Sequence, residues 1–223
     1  MNVRKFHMGE IVDIGLGNRY EAYEYGCALS ILERAHKAEW DEILYALDHF
    51  AVTRSDILTP GGNESPIPAK FDDILWARGW REIRITGDLS IRTYPRSVNA
   101  GRGRFESEPN DYITVNGWID GHNIDFVKNK VAFDLEWNSK DQTYDRDALA
   151  FRTYHEVGII DVGIIVTRSA TLNPIFGHLG VKNKYGASTT WIGKLIPRLD
   201  SRRQGGCPVL AIGITDKCYD PHH

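Results

Sequence analysis

Residues 159–167 read IIDVGIIVT. Only Asp161 is charged, and β-branched side chains dominate. A strand with one wet face alternates apolar and polar residues. A near-continuous apolar run instead marks a central strand covered on both faces, as in the parallel part of an α/β sheet. A second run, PVLAIGIT at 208–215, has the same character. Parallel neighbours need a long crossover, usually a helix. DRDALAFRTYHEVG at 145–158 supplies one, with Thr143 or Asp145 as N-cap and Gly158 as a stop.

The remaining chain fits one mixed α/β domain over 1–223, a central mixed sheet flanked by helices. A chain of 223 residues buries roughly 70% of the surface its unfolded form exposes, enough for one large core. Residues 20–50 read as two helices. In the second, Trp40, Ile43, Leu44, Leu47 and Phe50 share a face. Residues 54–68 read as a loop and 69–78 as a short helix. REIRITGDLSIRTY at 81–94 reads as a strand pair turning near Gly87-Asp88. A mobile loop or small lobe is expected at about 95–110 and a strand at 111–119. A helix is expected at 188–196, which Pro197 should end. No apolar run is long enough to cross a membrane. The opening residues lack the apolar stretch of a signal peptide. Cys27, Cys207 and Cys218 show neither metal-ligand nor disulfide spacing. The expectation is a cytoplasmic protein.

The chemistry concentrates in NIDFVKNKVAFDLEWN, 123–138. A hairpin with Lys128-Asn129 at its tip pairs Val127 with Lys130, Phe126 with Val131 and Asp125 with Ala132. Opposed residues share a face, as do alternate residues along a strand. Asp125, Asp134, Glu136 and Asn138 then project from one side, and Val131, Phe133, Leu135 and Trp137 from the other. Lys128 and Lys130 read as plain turn charges. Asp134 and Glu136 are about 7 Å apart along the strand, and Asp125 lies diagonal to Asp134 at about 7–8 Å. Each pair repels by roughly 2 kcal/mol at an effective dielectric of about 20. Protons, a Lys or Arg, or a divalent cation would relieve this. All-oxygen clusters suit Mg²⁺ or Mn²⁺, which bind phosphate oxygens and activate water. An amphipathic strand with its polar residues outward is the ordinary explanation of a lone D-x-E. The return of Asp125 to that face strengthens the case for a site.

The pattern D-(8 residues)-D-x-E, followed by a helix and a buried strand, resembles the PD-(D/E)XK nuclease core. IDFVKNKVAFDLEWN, IIDVGIIV and PVLAIGI resemble the catalytic hairpin, the next buried strand and the late strand of the BglII/BstYI group of type II restriction endonucleases. The resemblance implies a PD-(D/E)XK restriction-endonuclease-like core and hydrolysis of both strands of duplex DNA at a short palindromic site, with a GATC-like core as a guess. It places Asp125, Asp134 and Glu136 on the catalytic and metal-binding positions, with Mg²⁺ as cofactor and Mn²⁺ able to substitute. It implies a homodimer in a bacterial cytoplasm. Three positions depart from the pattern. Ile124 stands where Pro is usual, Asp134 where close relatives carry Glu, and Glu136 where most of the superfamily has Lys. Without that lysine the general base is open, between a metal-bound hydroxide and a neighbouring substrate phosphate. Two other functions stay in play: a repair or structure-specific nuclease, and a sequence-specific DNA-binding protein that has lost catalysis.

The net charge of −3 means that any DNA surface must come from local clustering. One cluster runs from Arg78 to Arg104 and includes the Gly-flanked Arg102 and Arg104. Another comprises Lys182, Lys184, Lys194, Arg198, Arg202 and Arg203. Asn138, Ser139, Lys140 and Arg146, leaving the acidic strand, are candidates for base or phosphate contact. So are Lys184 and Ser188 in NKYGAST, 183–189. Solvated basic faces and helix capping explain each residue taken singly. A palindromic site calls for two-fold symmetry, and the apolar circumference of helix 145–157 offers one partner surface.

Overall fold

The computed structural model describes residues 9–60, 66–96 and 104–221. The strands are β1 (Glu10–Val12), β2 (Tyr20–Tyr25), β3 (Val52–Thr53), β4 (Arg81–Thr93), β5 (Asp111–Lys128), β6 (Val131–Glu136), β7 (Val162–Arg168), β8 (Val209–Ile214) and β9 (Tyr219–Asp220). The α-helices are α1 (Ala28–Ala35), α2 (Lys37–His49), α3 (Arg54–Leu58), α4 (Pro66–Trp76), α5 (Thr143–Glu156), α6 (Asn173–His178) and α7 (Ile192–Asp200). Seven strands form one mixed sheet in the order β1-β2-β8-β7-β6-β5-β4. β6, β7 and β8 run parallel, while β5 and β2 join them antiparallel on either side. Every residue of β7 and β8 is buried, as two-sided coverage requires. No described helix is long and apolar enough to cross a membrane.

The contacts divide into two units, residues 84–123 and the remainder. In the larger unit, Trp40, Ile43 and Leu47 of α2 pack into a core that includes Phe71 of α4, Phe133 of β6 and Ile164 of β7. Phe71 touches the rings of both Phe50 and Phe133. Lys128 is no plain turn charge: its ammonium is held by both oxygens of Glu42, at 2.8 Å each, and by the Arg78 carbonyl. The smaller unit is a ribbon of β4 and the first part of β5. Several large apolar side chains there are exposed, among them Tyr112, Ile113 and Trp118.

Several elements differ from the sequence reading, among them the strand expected at 111–119, which runs on to Lys128. Tyr20–Tyr25 is a strand, paired to β8 throughout its length, rather than the start of a helix. Arg54–Leu58 is a short helix closed by a capping box between Thr53 and Asp56. REIRITGDLSIRT is one unbroken strand. Gly87 is not a turn residue there: a Cβ would come within 3.0 Å of Ile119, so glycine serves close packing inside the ribbon. Helix α7 runs through Pro197 to Asp200.

Candidate active site

The hairpin turn falls at Asn129-Lys130, both with positive φ, 44° and 69°. That is the geometry of a two-residue hairpin loop, whose twist matches the flanking strands. The observed pairs are Phe126 with Phe133, Val127 with Ala132 and Lys128 with Val131. The register is therefore two residues off the expected one, a slip that leaves every side chain on its expected face. Beyond Phe126 the ladder gives way to carboxylates. The Asp125 N–H donates to Asp134 Oδ1 at 2.8 Å, and the Leu135 N–H donates to Asp125 Oδ2 at 3.0 Å.

The surroundings hold these acids in a water-poor setting. Asp134 is buried on β6, between the parallel β7 and the antiparallel β5. Its Oδ2 and Glu136 Oε2 are buried without a hydrogen-bond donor among the described residues. A fourth acid joins them. Asp147, on α5, is 1% exposed, and one of its carboxylate oxygens lies within 4.8 Å of one from Asp134. Sequence reasoning passed over it, although the signal was present. Tyr144, Asp147, Ala148, Phe151 and Tyr154 form the buried stripe of α5. An acid inside the apolar stripe of a helix is unusual enough to flag.

Electrostatics follows from this crowding. Burial, then the charges of Asp147 and Asp125, push Asp134 well above the usual carboxylate range. Burial and Asp147 push Glu136 up to about 8, against a hydrogen bond from Ser139 and the charge of Arg146. Asp125 is exposed as a residue, yet protein atoms crowd its carboxylate. Loss of water raises it to about 6, against the Leu135 N–H. At neutral pH the cluster thus retains protons that a divalent cation would displace. Oxygen-only donors, two of them orphaned and buried, fit a hard divalent cation.

The backbone around Glu136 is firmly held. Its carbonyl accepts from Thr167 Oγ1 at 2.8 Å and Thr190 Oγ1 at 3.3 Å, and Tyr144 donates to Thr167. The two polar segments nominated separately lie side by side here. The Asp141 N–H donates to Ser188 O, the Thr190 N–H donates to Ser139 O, and Lys140 bridges Thr189. Asn138, Ser139, Lys140 and Ser188 therefore adjoin the acidic end of β6, and Arg146 is exposed at the start of α5. Lys184 is engaged internally, its ammonium bound by the carbonyls of Ile57 and Thr59. Much of the second basic cluster is likewise engaged. Lys194 and Arg198 pair with Asp141, and Arg198 and Arg203 with Asp145. Arg104 is exposed in the ribbon unit, and Arg102 lies outside the described residues.

No curated protein matches the sequence. A family model described as restriction endonuclease BglII/BglIII matches residues 20–214, a span from the first strand beside β8 to the end of β8 itself. It contains all four clustered acids. With most of its length matched, and with the mixed sheet and helices of a restriction-endonuclease-like fold, the chain belongs to the BglII/BglIII family of restriction endonucleases, which are site-specific deoxyribonucleases.

Proposed function

We propose that the protein is a Mg²⁺-dependent type II restriction endonuclease that cuts both strands of duplex DNA at a short palindromic site, acting as a homodimer. The observation that carries this reading is the convergence of Asp125, Asp134 and Glu136 from two paired strands, with two carboxylate oxygens buried and unsatisfied. In this reading Asp125, Asp134 and Glu136 hold the ion, and Asp147 adds negative charge beside it. When bound, a divalent ion supplies a polarised water and positive charge against the departing oxyanion.

The protein's own residues do the rest. Thr167 and Thr190 fix the Glu136 carbonyl, and Ser139 restrains its carboxylate. Burial excludes competing water and strengthens the field of the acids. With Glu136 where a lysine is commonest, this position provides no cation to orient the water. Asn138, Ser139, Lys140 and Ser188, gathered beside the acids, face the DNA, with Arg146 exposed nearby. Arg102, Arg104 and Lys184 are further candidates for phosphate contact, and the palindrome contains a GATC-like core. The dimer surface includes α5, whose Leu149 is 58% exposed on the side away from its buried stripe.

The test is digestion of phage DNA with and without Mg²⁺, followed by sequencing of the ends. The expected result is one symmetric sequence at all ends, lost on chelation and in Asp134→Asn. Wild-type protein that binds DNA but never cuts with Mg²⁺ or Mn²⁺ would make it a binding protein instead.

A further inference from the structure

Arg168 closes β7, next to Thr167, and is 2% exposed. No carboxylate pairs with it among the described residues. Its Nη2 donates to the Tyr185 carbonyl at 3.2 Å and to Thr189 Oγ1 at 2.9 Å, and its Nη1 donates to Asn173 Oδ1 at 3.3 Å. The guanidinium lies 5.6 and 5.8 Å from the ring centres of Phe176 and Tyr185, which stack on each other at 3.9 Å. Burying a guanidinium without a counter-charge is costly, so a chain that does so gains something from the fork.

What the fork holds is the segment 183–190. This segment contains neither helix nor strand, and its backbone pairing is the single bridge of Thr189 to Lys140 at its end, which leaves 183–187 to be fixed by side chains. Arg168 grips it at Tyr185 and again at Thr189, and Thr189 in turn donates to the Gly186 carbonyl. The neighbouring Thr167 grips the Glu136 carbonyl from the same strand, and Thr190 reaches that carbonyl from the segment. Two adjacent residues of β7 therefore set the segment and the acidic strand in one frame.

We propose that Arg168 is a positioning residue for site selectivity, fixing the 183–190 segment so that its polar atoms meet base edges in the register at which the acids meet the scissile phosphate. The proposal rests on the reading of the protein as a nuclease that uses this segment on DNA. The planar guanidinium, with Nη2 on the segment and Nη1 on Asn173, holds these acceptors at fixed spacing, which a lysine ammonium does not.

The test uses Arg168→Met, Arg168→Lys and Thr189→Val in the full chain, each checked by thermal melting. Phage DNA is digested with Mg²⁺ and the ends are sequenced. KM and kcat are then measured on the wild-type site and on duplexes altered at one base pair. Discrimination is expected to fall about tenfold or more in Arg168→Met, less in Thr189→Val, with Arg168→Lys intermediate. The loss should lie in KM and in the spread of cut sites, with the Mg²⁺ dependence of cleavage unchanged. If Arg168→Met does not fold, the other two variants decide. Unchanged end sequences, or a uniform loss of rate at every site, would overturn the proposal. A wild type that cuts at no defined sequence would instead overturn the nuclease reading, and the proposal with it.

Discussion

Two sets of acids lie within a few residues of each other and are treated in opposite ways. Asp141 and Asp145 are matched by Lys194, Arg198 and Arg203, and the ion pair with Lys194 holds Asp141 below the usual carboxylate range. Asp125, Asp134 and Glu136 have no ion pair among the described residues, and burial, with the charges of neighbouring acids, pushes all three upward. The first set joins α5 to α7 and has found its cations within the fold. The second set is crowded against itself and keeps protons at neutral pH, next to backbone that is firmly fixed. Uncompensated buried charge lowers stability, so its retention marks a group kept for something outside the folded chain.

The largest effect separates the two sets directly. Asp134→Asn should reduce cleavage on the order of a thousandfold, the scale of losing a preorganised charge at a reacting centre. The same variant should raise the stability of the metal-free protein by roughly 1–3 kcal/mol, because a costly buried carboxylate is gone. Asp145→Asn should do the reverse. Cleavage should stay at the wild-type rate, and stability should fall by about 0.5–1 kcal/mol as a partly exposed ion-pair network opens. Denaturant melts and cleavage rates on both variants check this. Equal losses of stability in the two would break the comparison.

A divalent cation should act on one set only. At a Mg²⁺ concentration a hundred times its dissociation constant, the native state should gain about 2.7 kcal/mol by mass action. Melting scans should show that gain in wild type and in Asp145→Asn. In Asp134→Asn it should be much reduced. A gain of the same size in all three would place the cation away from the acids.

The pH dependence has a sign that ordinary carboxylates do not give. Asp125 and Glu136 titrate near 6 and 8 when folded, and near 4 when unfolded. The folded state therefore holds more protons across that window, and stability falls as pH rises. The contribution is fully present below about pH 4 and is lost as pH climbs through 6 to 8. Metal-free protein should melt at progressively lower temperature from pH 5 to pH 8, and saturating Mg²⁺ should flatten the curve. A metal-free melting temperature that rises over this range would contradict the assignment.

Much of this was legible in the chain, for physical reasons that also explain the failures. The runs at 159–167 and 208–215 could only be covered strands, and they are β7 and β8. The face shared by the hairpin acids is the same in both registers, because each pairs odd-numbered with even-numbered residues and a shift of two leaves the faces unchanged. The turn itself was misplaced because Lys130 does not advertise positive φ. Tyr20–Tyr25 reads as helix in isolation because its strand character comes from pairing with β8, a partner about 190 residues away in the chain. The glycine in β4 looks like a turn signal until Ile119 is seen against it. Asp147 stands outside the hairpin pattern, and the sequence signals it only as an acid in the buried stripe of α5.

The smallest effect tests a cation whose charge acts on Glu136. Arg146 is exposed, and together with the Ser139 hydrogen bond it lowers a carboxyl that burial and Asp147 raise. Removing a nearby positive charge disfavours the ionised form, so Arg146→Gln should move Glu136 further up from about 8. At neutral pH and limiting Mg²⁺ the cation must then displace a more tightly held proton. The pH of half-maximal cleavage should rise by a fraction of a pH unit, and raising pH or Mg²⁺ should restore the wild-type rate. A phosphate contact would give a different signature. Losing it would raise KM at every pH and reduce the salt dependence of DNA binding, leaving the pH midpoint in place. The first outcome would put Arg146 beside the acids as a partial counter-charge, and the second would assign it to the DNA surface, so the pH profile and the salt slope of this one variant locate the edge between the two.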